Sequence, residues 1–506
     1  MQPRSNPAAR EMNTSSLYIY VLAFFSGMCI MAVELCASRL MAPFFGTSTF
    51  VWTNIIGMIM IALSVGYVLG GRLADRKPRL DVLLKLLLAA SAFLLVLPFV
   101  APPFVRWLTS IMKNFNSSFS FIFFGSLFAI TLLFSPPIVI MGMTSPFLIR
   151  IIARSDHVGD SAGRIFGLST IGSVAGTFLP VLVFIPTFGT ARTILVFAAA
   201  LFVVITLGFV RRRRALLSVA AVVPFLFPMP SVRESPGKIY ATESAYQFIE
   251  VFDKGSYRHL VYNDAVGSQT VANKTSALTG LYYDYYSLLP LYFDPPPKKA
   301  LIIGLGGGII ANQMYYFHPE IDLDGVEIDP EVITIARTYF ALTDTVRVFN
   351  QDGRIFVSLG EKKYDIVIVD AYTQQVYIPF HLTTVEFFAQ VKKGLSAGGV
   401  LAMNVSSARE DSPLIKSISN TLRLVFGHVY RLRIPGSFEN LLVASDRNIN
   451  FAFPAGAAAI ELRGIAQYSR QSFRESPYDD RYAPLTDDRA PIEHMVDWEI
   501  LKQAIR

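Results

Sequence analysis

The chain has 506 residues, of which 52% are hydrophobic and 16% charged, and its mean hydropathy is +0.44. These values exclude a disordered, collagen-like or coiled-coil chain and indicate a protein that lies at least partly in a membrane. The net charge is +7, and residues 1–235 carry 19 Lys and Arg against 7 Asp and Glu. Because this positive excess lies among long apolar runs, we expect it to mark loops at an anionic membrane surface and not a nucleic-acid interface.

Six apolar runs in the first half have the length of about 20 residues that a helix needs to cross the hydrocarbon core. They predict transmembrane helices at 17–35, 51–71, 83–105, 119–143, 162–186 and 192–210. A seventh run, 215–230, contains three prolines and is short for a span. It either crosses the membrane or lies in the interface, and we favour crossing.

The loops between these runs predict the orientation. Lys and Arg number fourteen in one set of alternate loops and four in the other. The positive-inside rule therefore predicts a multi-pass protein of the cell (inner) membrane, with the amino terminus and Arg211 to Arg214 in the cytoplasm. No small-residue cleavage site closes the first run, so we interpret it as a membrane helix and not as a removed signal. The side that the second half faces depends on whether 215–230 crosses.

The two cysteines, Cys29 and Cys36, lie in or beside the first apolar run. The sequence has neither a CxxC motif nor a cluster of Cys and His. We therefore predict no metal site and no disulfide framework.

After a linker that contains prolines, the sequence changes to short alternating strands and then to strands that alternate with helices. This order predicts three domains: a membrane domain with six or seven transmembrane helices at 1–235, a small β-strand domain at 236–295, and a Rossmann-like α/β domain at 296–506. Strands that alternate with helices predict a mainly parallel sheet, whose ligand site lies at the carboxyl ends of the strands.

The strand Ala300 to Ile303 is followed by a glycine-rich turn and a helix. Glycines at these positions let a ligand approach the backbone and let the chain turn sharply into the helix. The expected nucleoside-binding glycines are Gly304, Gly306 and Gly308. Their G-x-G-G-G spacing lacks the last glycine of the dinucleotide fingerprint, and no Lys follows as in a phosphate-gripping ATPase.

Acidic residues end the next three predicted strands. Glu327 ends the second strand, where its carboxylate can accept both hydroxyls of a ribose, and Asp352 ends the third, where it can meet an adenine amino group. Asp370 ends the fourth. Together with the glycine turn, these acids predict a nucleoside site; acidic strand ends that are merely solvated are the alternative.

Five stretches in order, LIIGLGGG, GVEIDPEVITIAR, QDGRIF, YDIVIVDAY and LSAGGVLAMNV, resemble the core of the spermidine synthases, which are polyamine aminopropyltransferases. The stretch SAYQFIEV and the strands after it are similar to the small amino-terminal β-domain of that family. Since a multi-span segment precedes them, the whole chain resembles the integral-membrane, fused form of spermidine synthase.

The resemblance implies roles for individual residues. Gln247 falls where the glutamine of the family meets the sulfur nucleoside, and Glu327 falls where its acid holds the ribose. Asp352 and Gly353 fall where the family recognises the adenine base. Asp370 falls on the first Asp of the family's D-S-x-D-P stretch, which implies that it is the catalytic base that frees the attacking amine.

The part of the site that binds the amine substrate, here called the amine half, departs from the family pattern. The second Asp of D-S-x-D-P is Thr373 here, and Gly307 replaces the Asp of the glycine stretch. Tyr283 replaces the His of Y-H-E, beside Asp284, and these two residues are candidates for binding the amine. The departures put the recognition of a diamine by fixed carboxylates in doubt.

Three further residues are candidates from the second half of the chain. Asp487 and Asp488, near the carboxyl end, could fold back over the site to bind the amine, although a solvated turn is the interpretation that we favour. His381 could act as a base, and a hydrogen-bonded loop residue is the alternative.

The resemblance implies a membrane-bound transferase that moves an aminopropyl group from decarboxylated S-adenosylmethionine to an amine such as putrescine. S-adenosylmethionine is the alternative co-substrate, and no permanently bound cofactor is expected. A methyltransferase, and a transporter or sensor with a nucleoside-binding domain, are the other interpretations. The expected partners are a small amine and the lipid bilayer, without nucleic acid; the oligomeric state is open, with a homo-oligomer among the options.

Overall fold

The structure is a computed structural model. It describes residues 7–112, 118–153, 158–208, 216–230, 232, 236–263, 267–373, 377–407, 409, 411–452 and 459–504. Contacts divide the chain into two compact units. One comprises Met1–Glu234 with Glu243–Phe248, and the other comprises Ser235–Thr242 with Ile249–Arg506.

The first unit is helical. Its helices are α1 (Pro7–Phe45), α2 (Thr49–Arg76), α3 (Leu80–Met112), α4 (Ser118–Leu133), α5 (Ser135–Gly142), α6 (Thr144–Ile152), α7 (Val158–Leu179), α8 (Ile185–Phe188) and α9 (Thr190–Leu207). A π-helical segment, Pro180–Phe184, joins α7 to α8, and a 3₁₀ helix covers Leu216–Leu226.

Among the described residues, six helical stretches are long and apolar enough to cross a membrane. They are Leu17–Phe45, Thr49–Arg76, Leu80–Met112, Ser135–Ile152, Val158–Phe188 and Thr190–Leu207. The predicted span 119–143 is interrupted at Phe134, so that a shorter apolar helix, Phe121–Leu133, precedes the fourth stretch. Pro136 and Pro137 follow this break, where their missing N–H groups weaken helical continuity.

The described part of the run 215–230 forms a helix that is short for a membrane span, and whether the run crosses the membrane stays a prediction. The described helix there has 11 residues and is 3₁₀ in form. At about 2.0 Å per residue it covers about 22 Å, less than the roughly 30 Å of a hydrocarbon core. Arg211 to Arg214 lie outside the described residues, so their sidedness stays a prediction.

Small residues let two of the long helices pack closely. A Cβ atom on Gly172 would collide with the carbonyl oxygen of Phe24, and one on Gly176 would collide with that of Met28. Helices α1 and α7 therefore approach backbone to backbone, a close packing that small residues permit.

The second unit is built on two sheets. A four-stranded sheet has the order β1 (Lys238–Glu243), β2 (Phe248–Lys254), β3 (Tyr257–Tyr262) and β4 (Thr270–Asn273). The strands of the larger sheet are β5 (Lys299–Ile303), β6 (Asp322–Glu327), β7 (Arg347–Asn350), β8 (Tyr364–Val369), β9 (Leu395–Ser406), β10 (His428–Arg433), β11 (Glu439–Ser445) and β12 (Arg474–Glu475).

Helices and short 3₁₀ turns connect these strands. The helices are α10 (Tyr283–Tyr286), α11 (Ile309–Phe317), α12 (Pro330–Tyr339), α13 (Gly353–Leu359), α14 (Val385–Gly394), α15 (Pro413–Arg423), α16 (Arg463–Ser472) and α17 (Ile492–Ala504). The 3₁₀ turns are Leu289–Tyr292, Phe380–Leu382 and Ile460–Leu462.

The larger sheet has the order β12-β10-β11-β9-β8-β5-β6-β7. The pairs from β9 to β7 are parallel, as predicted, whereas β9–β11, β11–β10 and β10–β12 are antiparallel. The sheet is therefore mixed, and its antiparallel edge was not predicted. This edge brings β11 next to β9, and β9 pairs in parallel with β8, the strand that ends just before Asp370.

Both faces of the larger sheet are covered. Along β5, Ala300 and Ile302 belong to one hydrophobic core, whereas Leu301 and Ile303 belong to the other. Side chains alternate between the faces of a strand, so a strand buried on both faces has a continuous apolar run. Contacts do not separate 236–295 from 296–506, and this division stays a prediction.

Candidate active site

The glycine turn follows β5 directly. Gly304, Gly306 and Gly308 have φ values of +86°, +49° and +77°, in the left-handed region that favours glycine. The N–H groups of Leu305 and Gly306 both donate to Glu327, and that of Gly307 donates to Thr270 Oγ1 at 2.9 Å. The turn is thus held in shape by the ends of the neighbouring strands β6 and β4.

Gly304 also lies against the strand end that carries Asp370. A Cβ atom on Gly304 would be 2.6 Å from the carbonyl oxygen of Asp370 and 2.8 Å from Cα of Ala371. The N–H of Asp370 donates to the carbonyl oxygen of Ile303 at 2.9 Å, which fixes the register of this contact. The structure therefore brings the predicted nucleoside turn and the predicted base together.

Glu327 ends β6 with its side chain 8% exposed. Its Oε2 accepts from the N–H groups of Leu305 and Gly306 at 3.2 Å each, and its Oε1 accepts from the N–H of Asp329 at 3.1 Å. Burial raises the pKa of Glu327 to about 7, although these hydrogen bonds act in the opposite direction. A carboxylate has about four acceptor sites, so after these three bonds the remaining capacity for a ligand lies mainly on Oε1.

Asp352 is the N-cap residue of α13. Its Oδ1 accepts from the N–H groups of Arg354 and Ile355 at 2.9 and 3.0 Å, and Gly353 begins the helix. Its Oδ2 lies 3.6 Å from Nε2 of His381. One carboxylate oxygen therefore stabilises the helix, and the other faces the histidine that we considered as a base.

Asp370 lies just beyond β8. Its Oδ2 accepts a hydrogen bond from the Tyr282 hydroxyl at 2.9 Å, and its buried Oδ1 has no hydrogen-bond partner among the described residues. The pKa of Asp370 is raised to about 7, chiefly by burial and then by the nearby Glu439. The Tyr282 hydroxyl and the Asn404 amide lower it. A carboxyl group with this pKa can exchange a proton near neutral pH.

Four residues near Asp370 were missed by the sequence reasoning. They are Tyr282, Tyr372, Asn404 and Glu439. The Tyr372 hydroxyl donates to the carbonyl oxygen of Asn404 at 2.9 Å. Tyr282 lies in the tyrosine-rich stretch LYYDYY, Tyr372 in YDIVIVDAY and Asn404 in LSAGGVLAMNV. Glu439 belongs to none of these stretches and reaches Asp370 through the pairing of β8, β9 and β11.

The structure does not support Tyr283 and Asp284 as amine ligands. The Tyr283 hydroxyl donates to the carbonyl oxygen of Gln269 at 3.2 Å, and its neighbour Tyr282 contacts Asp370 instead. Asp284 is 2% exposed and accepts from the N–H and hydroxyl of Thr279, from the N–H of Gly280 and from the Gln313 side chain. Its carboxylate is therefore already fully used within the fold.

Asp487 and Asp488 do not join the surroundings of Asp370. The Asp487 carboxylate accepts two hydrogen bonds from the Arg354 guanidinium, at 2.7 and 2.5 Å, and one from the Thr384 hydroxyl at 2.7 Å. Pairing with Arg354 is also the main reason why the pKa of Asp487 is lowered. Asp488 is exposed in the turn between Thr486 and Arg489. Asp487 therefore has a structural role in the fold, and Asp488 fits the interpretation as a solvated turn residue.

Gln247 lies in the turn between β1 and β2. Its N–H donates to Ser244 Oγ at 3.0 Å, and its carbonyl oxygen accepts from the N–H of Ser244 at 2.9 Å. These bonds explain the turn, whereas contact of its side chain with a nucleoside stays a prediction. Within the described ranges, no group of three or more His, Cys, Asp or Glu residues could hold a metal ion.

Comparison with known proteins shows the family. The "Spermine/spermidine synthase domain" matches residues 281–442, which lie wholly in the second unit. The "Polyamine aminopropyltransferase" of Vibrio vulnificus is 33% identical over 271 residues, which cover 50% of this chain and 89% of the relative. The chain belongs to the polyamine aminopropyltransferase family. Membership places it among transferases of the aminopropyltransferase type.

Two further matches extend over similar lengths. The "Probable polyamine aminopropyl transferase" of Bifidobacterium longum is 30% identical over 289 residues, which cover 52% of this chain and 64% of that relative. The crystal structure of a "probable spermidine synthase" from Corynebacterium glutamicum is 18% identical with a TM-score of 0.41, and the match covers 49% of this chain and 96% of the other. The two curated relatives thus match about half of this chain.

Proposed function

We propose that this chain is a membrane-bound polyamine aminopropyltransferase of the spermidine synthase type. It moves an aminopropyl group from decarboxylated S-adenosylmethionine to an amine such as putrescine, with Asp370 as the catalytic base. The observation that carries the proposal is Asp370, whose backbone adjoins the glycine turn and whose carboxylate keeps one buried oxygen without a partner among the described residues.

The reaction needs a base at this point. A substrate amine with a pKa near 10 is almost entirely protonated at neutral pH, and only the neutral amine has a lone pair for attack. The amine nitrogen forms a bond to the carbon next to the sulfonium, and the carbon–sulfur bond breaks with its electron pair passing to sulfur. The products are the substituted amine and methylthioadenosine, and the proton released from nitrogen passes to Asp370.

The nucleoside half is assigned to the glycine turn and to two acids. Gly304, Gly306 and Gly308 let the nucleoside approach the backbone closely, and Glu327 and Asp352 receive the ribose hydroxyls and the adenine amino group. The support is that Glu327 contacts the turn directly and that Asp352 keeps one oxygen away from its helix cap. Gln247 is assigned to the sulfur nucleoside on the family pattern alone.

The first unit is assigned to the cell membrane. Six helical stretches among the described residues have the length and composition of membrane spans, and the distribution of Lys and Arg supports a cytoplasmic amino terminus. The lipid bilayer is then the environment of this unit, and an amine is the substrate of the other.

Product analysis tests the proposal. The full-length chain, purified in detergent, is incubated with decarboxylated S-adenosylmethionine or S-adenosylmethionine and a panel of amines, and the products are identified by mass spectrometry. We expect an aminopropylated amine and methylthioadenosine from the decarboxylated compound only. A methylated amine from S-adenosylmethionine would favour the methyltransferase alternative, and nucleoside binding without any product would favour a sensor or transporter.

A further inference from the structure

A second carboxylate lies beside the base. Glu439 begins β11, and its Oε2 is buried without a hydrogen-bond partner among the described residues. Burial raises the pKa of Glu439, against the effect of the Asn404 amide and the Ser406 hydroxyl. The charge of Glu439 in turn raises the pKa of Asp370. The two acids are therefore close enough to influence each other, and Asn404 contributes to both.

The surroundings of these acids hold further polar atoms without partners. Asn404 is 3% exposed and its Oδ1 makes no hydrogen bond, and Tyr286 is 0% exposed and its hydroxyl makes none, within the part of the chain that the structure describes. With Oδ1 of Asp370 and Oε2 of Glu439, four buried oxygens are unsatisfied in one region. Buried polar groups are normally hydrogen-bonded, so such a set indicates where a polar ligand binds.

The hydrogen-bonding character and charge of these four oxygens indicate which kind of ligand they would bind. All four oxygens can accept a hydrogen bond. When the two acids are ionised, the oxygens on Asp370, Glu439 and Asn404 can accept but not donate, and two of these three belong to carboxylates. An ammonium group has donors only and carries the opposite charge. Two separate carboxylates match two separate ammonium groups, and therefore a diamine better than a monoamine.

The sheet sets the separation of the two acids. Asp370 follows β8 and Glu439 begins β11, and β9 lies between them. Strands lie about 4.8 Å apart, so the two backbones are about 10 Å apart and the side chains narrow this gap. Asn404 on β9 stands opposite Leu441, two residues along β11 from Glu439, and it lies between the acids. The gap suits a short unbranched diamine.

We propose that Glu439 binds the far ammonium group of a diamine whose near amine is deprotonated by Asp370, so that Glu439 determines the preference for diamines. This inference rests on the proposed function and names its substrate class. Thr373 does not supply a second anion, because its side chain is a neutral hydroxyl, which donates to the carbonyl oxygen of Tyr377 at 3.1 Å.

The test compares putrescine with n-butylamine, which has the same carbon chain and lacks the second amine. In the full-length chain, Glu439→Gln should raise the KM for putrescine about 10- to 100-fold, the usual effect of losing a charged hydrogen bond, and should leave the KM for n-butylamine within about twofold. Glu361→Gln, at an exposed loop position, is the matched control and should change neither value.

A second variant gives a readout that a purely structural role would not move. Glu439→Asp keeps the charge but withdraws it by one methylene, so the preferred diamine should become longer, from putrescine toward cadaverine. Calorimetry with unreactive methylthioadenosine present measures putrescine binding without turnover, and it should show the same 10- to 100-fold loss in Glu439→Gln with wild-type nucleoside affinity.

The outcomes of these experiments distinguish the inference about Glu439 from the proposed aminopropyltransferase function. If the wild type aminopropylates amines but Glu439→Gln raises both KM values equally, or neither, the inference is overturned and the proposed function stands. If the wild type aminopropylates no amine while putrescine binding still depends on Glu439, the proposed function fails and the diamine site stands. Putrescine binding that is unchanged in both Glu439 variants overturns the inference whatever the activity.

Discussion

The hydroxyl of Tyr282 donates a hydrogen bond to Oδ2 of Asp370 at 2.9 Å, while Oδ1 of the same carboxylate has no partner among the described residues. The tyrosine thus orients the carboxylate and leaves one oxygen for a substrate proton. It also stabilises the charged form and so opposes the rise in pKa that burial causes. The pH at which Asp370 becomes a base therefore depends on Tyr282.

Tyr282→Phe tests this dependence through the pH profile. Asp370 acts as a base when it is ionised, so kcat/KM should rise as the pH increases through about 7, the pKa of this carboxyl group. Loss of the hydroxyl removes a hydrogen bond to the charged form, so the midpoint should move up by about 1 to 2 pH units. Tyr283→Phe is the matched control, since its hydroxyl contacts the Gln269 carbonyl, and a similar shift in that variant would contradict the assignment.

Asp370→Asn tests the base itself. The substitution keeps the shape of the side chain and removes its ability to accept a proton, so turnover should fall about 10²-fold or more at neutral pH. Methylthioadenosine affinity, measured by calorimetry, should stay within about twofold, since the glycine turn is retained. Full turnover in this variant would show that the proton is removed elsewhere, and His381 beside Asp352 would be the next residue to test.

Glu327→Ala tests the nucleoside half. The change removes the acceptor of the ribose hydroxyls and also the acceptor of three backbone N–H groups, so methylthioadenosine binding should weaken by about 1–3 kcal/mol. Calorimetry on the full-length chain measures this loss, and thermal unfolding shows whether the variant is folded. Asp344→Ala, at an exposed loop position, is the control. Unchanged affinity in a folded Glu327→Ala protein would refute the role of Glu327.

Cysteine labelling tests the predicted orientation. Arg212→Cys and Tyr240→Cys, each in a chain without Cys29 and Cys36, are treated with a membrane-impermeant thiol reagent from one side at a time. The excess of Lys and Arg predicts that position 212 reacts from the cytoplasm. Since the helix Leu216–Leu226 is short for a membrane span, position 240 should react from the same side. Labelling of 212 from outside would show that the predicted topology is wrong.

The nucleoside half could be predicted because its signals are local in the chain. The apolar run Ala300 to Ile303 followed by glycines predicts a buried strand and a turn, and the structure has β5 and positive φ values at Gly304, Gly306 and Gly308. The parallel order of β8, β5, β6 and β7 follows from alternating strands and helices.

The amine half could not be predicted in the same way. Glu439 approaches Asp370 only because β11 returns antiparallel to β9, and no local pattern indicates which strand pairs with which. Tyr282 and Tyr283 are adjacent in the sequence, but successive residues of a helical turn point in different directions. Tyr282 therefore contacts Asp370, whereas Tyr283, which occupies the motif position, contacts the Gln269 carbonyl. The short length and the prolines of the run 215–230 are visible in the sequence, whereas its 3₁₀ geometry is not.

Because residue 304 is a glycine, the substitutions that can alter the acceptor specificity of this enzyme are restricted. The turn assigned to the leaving nucleoside and the strand end that bears the base are pressed together at a contact where a methyl group would be 2.6 Å from an oxygen atom. The turn assigned to the nucleoside and the strand end that carries the base are thus fixed relative to each other, so neither can move without the other. New acceptors are therefore expected to arise through substitutions on the other side of the base, at the start of β11, because the atoms nearest to a Cβ on Gly304 belong to Asp370 and Ala371 and not to that strand.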